Sequence, residues 1–246
     1  MRLIALKGIP LVKQGDRVDE LIVDALRKQG LELEDGDVVV VAQTIVSKAE
    51  GSVVDLRKVK PSKFARYLAK KLEKDAREIE VILQQSKEII RLKHVLIART
   101  EHGFVCANAG VDHSNAGADR VTLLPRDPDA SARRIREGIR RALGKDVAVI
   151  VSDTQGRPFR QGAIGVAVGV AGMKPLLDLR GKRDLYGREL RTTIISPADA
   201  IAAAAVALMG EANEGTPVVI VKGATYERGE GSARELIMPK ERDLFG

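Results

Sequence analysis

Val147–Gly162 is the stretch that most limits what this chain can become. It opens with five apolar residues, Val147 to Val151, most of them β-branched. Such a run reads as a strand buried on both faces of a sheet. Ser152, Asp153 and Thr154 follow, then Gln155 and Gly156, and on this reading the strand stops at Ser152. Polar oxygens at a strand end, beside a glycine that frees the backbone, are one way to offer ligands to a cation. Arg157 and Arg160 come next, so groups that suit a metal adjoin groups that suit an anion. An ordinary polar turn accounts for the same residues, and the stretch alone does not choose between the two.

Similar runs recur along the chain, at residues 2–6, Val38–Ala42 and Val218–Lys222, and helical patterns separate them. Asp16 is expected to cap a helix with Val18, Leu21, Ile22, Ala25 and Leu26 on one face, ended by Gly30. Pro61-Ser62 starts a basic helix with Ala65, Leu68, Ala69 and Leu72 inward, and a short helix follows over Arg77–Gln85. Val95–Arg99 and Phe104–Asn108 flank a four-residue turn and read as a hairpin. Val121–Leu124 is a further strand, and Asp129 is expected to cap a helix with Ile135, Ile139 and Leu143 inward. Ile164–Gly172 alternates Val, Ala and Gly, a strand whose glycines imply close backbone neighbours. Thr192–Ile195 is a strand. Ser196, Pro197 and Asp199 then form a strong helix start. The chain closes on a Gly-rich and then charged tail, Gly223–Gly246.

Alternating strands and helices imply an α+β, mixed α/β fold. The 246 residues are expected to form a single domain with two subdomains. One would be α/β, built from residues 1–85 plus 191–246; the other, residues 86–190, would be richer in β-structure.

Aromatic residues make up only 3% of the chain and there is no Trp, which leaves few platforms for stacking single-stranded bases. The net charge of +7 favours anionic partners without naming them. One cysteine, Cys106, excludes an intrachain disulfide and fits a reducing, cytoplasmic setting. Its apolar neighbours read as those of a buried structural thiol. The N-terminal apolar run is too short for a signal peptide, and the longest uncharged apolar stretch, Ala163–Met173, is too short to span a bilayer.

The chain has no Walker-type phosphate loop, no GxGxxG after a strand, no HExxH and no CxxC. Three scattered histidines, His94, His102 and His113, make no case for zinc. What remains is a set of acids and hydroxyls at element ends, Asp112, Asp153, Thr154 and Glu211, with a basic set of Lys48, Arg157, Arg160, Lys182 and Arg183. Hard divalent cations take such oxygens together with phosphates and water, so both sets would suit a metal-bridged polyphosphate. Spacing alone does not bring them together.

Six segments together carry a resemblance: GIPLV at 8–12, QTIVSKAEG at 43–51, NAGVDHSN at 108–115, SDTQGRPFRQG at 152–162, GKRDLYGREL at 181–190 and LMGEANEG at 208–215. In this order, over nearly the whole chain, they resemble the coenzyme F420-0:gamma-glutamyl ligase family, in its stand-alone archaeal form. The resemblance implies a GTP-dependent amide ligase. It would join L-glutamate to the terminal carboxylate of coenzyme F420-0 and then add a gamma-linked glutamate. Two divalent ions, magnesium or manganese, would serve it, with potassium assisting. It further implies an intertwined homodimer whose fold is neither Rossmann nor P-loop.

By the same resemblance, Ile9, Pro10, Leu11, Val12, Gln43, Thr44, Lys48 and Asn115 match GTP-contacting positions. Met209, Gly210, Glu211, Ala212, Asn213, Glu214, Gly215 and Thr216 match a loop along the nucleotide. Asp112 and Asp153 match ligands of one metal, Thr154 and Glu211 those of a second. Gln43 stands where some relatives have Ser, so its expected contact is through the backbone. Asp153, Lys48 and Arg157 are the expected catalytic groups. Arg160, Lys182, Arg183, Tyr186 and Arg188 are offered for the acceptor and glutamate on charge and hydrogen-bonding capacity. The mechanism needs no protein nucleophile, since GTP would convert the carboxylate to an acyl phosphate for the amine to attack. Two rivals stand beside this reading. One is a nucleotide-dependent ligase for another phosphorylated carboxylate; the other is a nucleic-acid module using the arginine face of residues 133–141. Neither nucleic acid nor membrane is an expected partner.

Overall fold

A computed structural model describes residues 1–243, so the end of the charged tail lies outside the described residues. In chain order the elements are β1 (Arg2–Ala5), α1 (Val18–Gln29), β2 (Val38–Ala42), α2 (Gln43–Ala49), β3 (Val53–Asp55), α3 (Lys63–Leu72) and α4 (Ala76–Gln84). The middle of the chain adds β4 (Ser86–Leu92), β5 (Leu96–Thr100), β6 (Val105–Ala107), β7 (Arg120–Thr122) and α5 (Pro128–Leu143). The rest is β8 (Ala148–Arg157), β9 (Arg160–Ala171), β10 (Leu177–Asp178), β11 (Ile194–Ile195), α6 (Pro197–Met209) and β12 (Val218–Lys222). The mixture of helices and strands is the expected one. Among the described residues no helix is long and apolar enough to cross a membrane.

The β-branched runs meet in one five-stranded sheet of order β1-β12-β2-β8-β9. Only β2 and β8 pair in parallel, Val39 opposite Val149; the other neighbours are antiparallel. Both faces are covered, which is why these strands are continuously apolar. Val39, Val41, Val149 and Val151 face a cluster with α1 and α5, while Val38, Val40, Ala148 and Ile150 face α6. A third cluster joins α3 and α4 to Leu96 and Ala98 of β5 and Val121 of β7. There β4, β5 and β6 form a separate three-stranded sheet, and β3 pairs with β7.

Close approach explains two of the three glycines of β9. A Cβ on Gly165 would lie 2.4 Å from the Ala202 carbonyl oxygen of α6, and one on Gly169 would lie 2.4 Å from that of Pro128 in α5. The helices therefore seat directly on the strand.

Several local expectations are corrected. The first strand after Val147 does not stop at Ser152: β8 runs to Arg157, because β9 folds back to pair with it, Asp153 opposite Val166 and Gln155 opposite Ile164. Arg17, not Asp16, is the N-cap of α1 and supplies no side-chain bond; Asp16 accepts the Lys13 N–H at 2.7 Å and closes the preceding turn. Asp127, not Asp129, caps α5 through the Ala130 N–H. Asp129 instead turns inward, where its carboxylate accepts from the Val170 and Ala233 amides and the Ser232 hydroxyl. Strands β3 and β4 were not anticipated, and β4 is too polar to show a strand pattern, with an exposed-to-intermediate burial along its length. The caps at Ser62 and Ser196 are as expected.

Candidate active site

Chain order scatters the candidate residues, and the sheet gathers them. β2 ends at Ala42, opposite Ser152 of its parallel neighbour β8, which runs on. Beyond β2 the chain turns at once into α2, which carries Thr44 and Lys48; beyond Ser152 on β8 come Asp153 and Thr154. Three further segments close the walls of one cleft: the loop of residues 9–12, the turn of residues 112–115 and the loop from Met209 to Pro217. The cleft encloses about 560 Å3. Every residue matched above to nucleotide or metal lines it.

The walls are tied to one another. Asn115 Nδ2 donates to the Ala212 carbonyl at 3.3 Å, linking the 112–115 turn to the 209–217 loop. Thr154 Oγ1 donates to Glu211 Oε1 at 2.7 Å, which brings both residues of the second expected metal pair into contact. Within the loop, Glu214 takes the Ala212 N–H at 2.8 Å and Thr216 Oγ1 donates to the Met209 carbonyl at 2.9 Å. Ser114 donates to Asp112 at 3.0 Å.

Burial sets the electrostatics. It pushes the Asp153 carboxyl up to about 6, and the charges of Asp112 and Glu211 push the same way against donors from Gln155 and the Thr154 amide. Burial also lowers the pKa of Lys48. Burial thus disfavours the charged form of both groups, and a ligand bearing complementary charge would offset it. Cys106 is buried, and burial pushes its thiol to about 12, so it stays protonated and inert.

Arg157 and Arg160 stand at the turn between β8 and β9, outside the cleft walls, and Arg157 donates to the Gln161 carbonyl at 3.4 Å. Lys182, Arg183, Tyr186 and Arg188 lie on an exposed segment where the backbones of Arg183 and Glu189 pair antiparallel, also away from the walls. Gln155 was not among the expected site residues, yet its Nε2 donates to Asp153 Oδ2 at 3.0 Å and it lines the cleft. The i, i+2 spacing on a strand places it on the face of Asp153, a signal hidden by ending the strand too early.

Hard oxygens opposite a desolvated lysine suit an anionic ligand accompanied by a divalent cation. Among the described residues no three His, Cys, Asp or Glu side chains form a metal-binding group on their own. The donor set fits magnesium or manganese, which use one or two carboxylates and take the rest from phosphate and water.

A polar cleft of this kind, built without a Walker-type loop, suits an enzyme of anionic substrates. The chain belongs to the family described as F420-0:Gamma-glutamyl ligase, whose pattern matches residues 8–223. It is 51% identical over 246 residues to the coenzyme F420:L-glutamate ligase of Methanothermobacter thermautotrophicus, covering 99% of this chain and 98% of that one. The same named enzyme of Methanocaldococcus jannaschii is 48% identical, covering 96% and 94%, and that of Archaeoglobus fulgidus 42%, covering 97% and 94%.

Proposed function

We propose that this protein is a ligase forming carbon–nitrogen bonds that adds L-glutamate to coenzyme F420-0, and then a gamma-linked glutamate to the product, at the expense of GTP. What carries the reading is that a single cleft collects all the matched nucleotide and metal positions from five distant segments of a chain that belongs to this family. A carboxylate is a poor electrophile until one oxygen becomes a leaving group. In the first step a carboxylate oxygen of the acceptor attacks the γ-phosphorus of GTP, and GDP departs. In the second, the glutamate amine attacks the acyl carbon, phosphate leaves and the amine gives up its proton.

The protein's part is positioning and charge neutralisation. The 9–12 loop, Thr44, Asn115 and the 209–216 loop hold the nucleotide, and Lys48 faces its phosphates. Asp112 with Asp153, and Thr154 with Glu211, would hold two divalent ions, which neutralise phosphate charge when bound. Potassium assists. Gln155 orients the Asp153 carboxylate through its hydrogen bond. The nucleic-acid reading loses support because Arg134 and Arg136 of the basic face are engaged with Glu50 and Asp146.

The direct test supplies purified protein with F420-0, L-glutamate, GTP and manganese, and follows phosphate release and the mass of the acceptor. Release only with all components, and a product one glutamyl residue heavier, is the expected result. A folded protein that binds GTP and manganese but leaves F420-0 unchanged points instead to another phosphorylated carboxylate. Asp153→Asn is expected to lower turnover at least a hundredfold while the circular dichroism of the fold is retained; near wild-type turnover removes Asp153 from the chemistry.

A further inference from the structure

Helix α2 faces two ways. Thr44 and Lys48 line the cleft; Gln43 borders it as well, but with Ser47, one turn on, it is almost wholly buried. Their polar atoms converge on one backbone group. Gln43 Nε2 donates to the Leu123 carbonyl at 2.8 Å and to Ser47 Oγ, and Ser47 Oγ donates to the same carbonyl at 2.6 Å. The Leu123 N–H returns to the Ser52 carbonyl at 2.9 Å, just beyond α2. The adjacent residue, Thr122, is fully buried and holds the other side of the cleft. Its N–H donates to the Asp112 carbonyl at 2.8 Å, its carbonyl accepts the Asp112 N–H at 3.0 Å, and its hydroxyl reaches the Asp112 carbonyl at 3.3 Å.

We propose that Thr122-Leu123 is a rigid joint that sets the position of the Lys48 helix against the Asp112 carboxylate, with Gln43, Ser47 and Thr122 as positioning residues for phosphoryl transfer. This rests on the reading of the cleft as a site for a nucleotide and a divalent cation. Two successive residues hold the nucleotide side through side-chain donors and the cation side through a two-way backbone pair. The donor side chains of Gln43, Ser47 and Thr122 are buried, where a lost partner leaves an unsatisfied group. A displacement of about 1 Å in such a site is enough to lose on the order of a hundredfold in rate. The Gln43 side chain is spent on this joint, so its service to the nucleotide is indirect.

The test is a cross-effect between sides that do not touch. Ser47→Ala lies on the α2 side and Thr122→Val on the Asp112 side. Manganese binding is titrated by electron paramagnetic resonance without nucleotide, binding of a non-hydrolysable GTP analogue by calorimetry without metal, and thermal unfolding in parallel. The joint predicts that Ser47→Ala weakens manganese binding at least fivefold, that Thr122→Val weakens the GTP analogue at least fivefold, and that the double variant loses less than the product of the two. Variants that unfold at lower temperature but keep both affinities overturn the joint and leave only a structural role. If one variant fails to fold, the other carries the same cross-effect by itself. Wild-type protein that binds neither manganese nor the analogue overturns the ligase reading and the joint with it, whereas wild-type binding with unmoved variant affinities overturns the joint alone.

Discussion

At Asp153, the proposed function and stability pull in opposite directions. Its carboxyl is pushed up to about 6 by burial and by the neighbouring Asp112 and Glu211, against an ordinary value of 3.8. The folded state therefore binds the proton more tightly than the unfolded one, and stability falls as pH rises from about 4 to about 6. Above that range the ionised group costs the metal-free fold on the order of 3 kcal/mol at most. Asn at this position is neutral throughout. Metal-free Asp153→Asn is thus expected to melt several degrees above the wild type at pH 8, with the gain vanishing near pH 4. Added manganese should reverse the order at pH 8. A melting difference that stays constant across this range would show that the carboxyl is not strained by its surroundings.

Among the elements, β9 is packed at close range by two helices. It lies at the sheet edge in hydrogen bonding but is clasped by two helices, and Gly165 and Gly169 mark where they touch. The obstacles to a side chain there are backbone carbonyls, which no rotamer change can move. Gly169→Ala is expected to push the start of α5 outward and strain the Asp129 bond to the Val170 amide, at a cost of roughly 1–3 kcal/mol. For a chain of this size that lowers the melting temperature by about 2–4 °C for each kcal/mol, measurable by calorimetry. Gly181, with nothing near a built Cβ but a positive φ, lies outside this packing and makes a control for backbone strain alone.

At the scale of the whole molecule, the segment from Leu177 to Ile195 stands apart from the three cores. Leu185 and Tyr186 are essentially fully exposed, and Ile194 and Ile195 are also exposed. Apolar side chains gathered on a projecting segment mark a surface for association. This supports the homodimer that the family resemblance implies. Light scattering at micromolar concentration is expected to return twice the chain mass of 26.6 kDa. Leu185→Ser with Tyr186→Ser should shift the particle toward the single-chain mass; an unchanged dimer would place the interface elsewhere.

What could be read from the sequence follows what is local in the physics. The runs Val38–Ala42, Val147–Val151 and Val218–Lys222 announce strands buried on both faces, because burial on both sides requires apolar residues at every position. Ser62 and Ser196 announce helix starts, because a cap acts within one turn. The family's segments marked the candidate residues, but nothing in their spacing put Lys48, Asp112, Asp153 and Glu211 on the walls of one cleft. That was decided by the parallel pairing of β2 with β8 and by loops arriving from both ends of the chain. A second pairing, the antiparallel hairpin of β8 with β9, turned Ser152–Arg157 from a turn into a strand, since β9 supplies its hydrogen-bond partners. Tertiary packing also committed Gln43 to the Leu123 carbonyl and Asp129 to amides of β9 and the C-terminal segment. Side-chain type and periodicity settle what a residue needs; which distant group meets the need is a property of the tertiary fold alone.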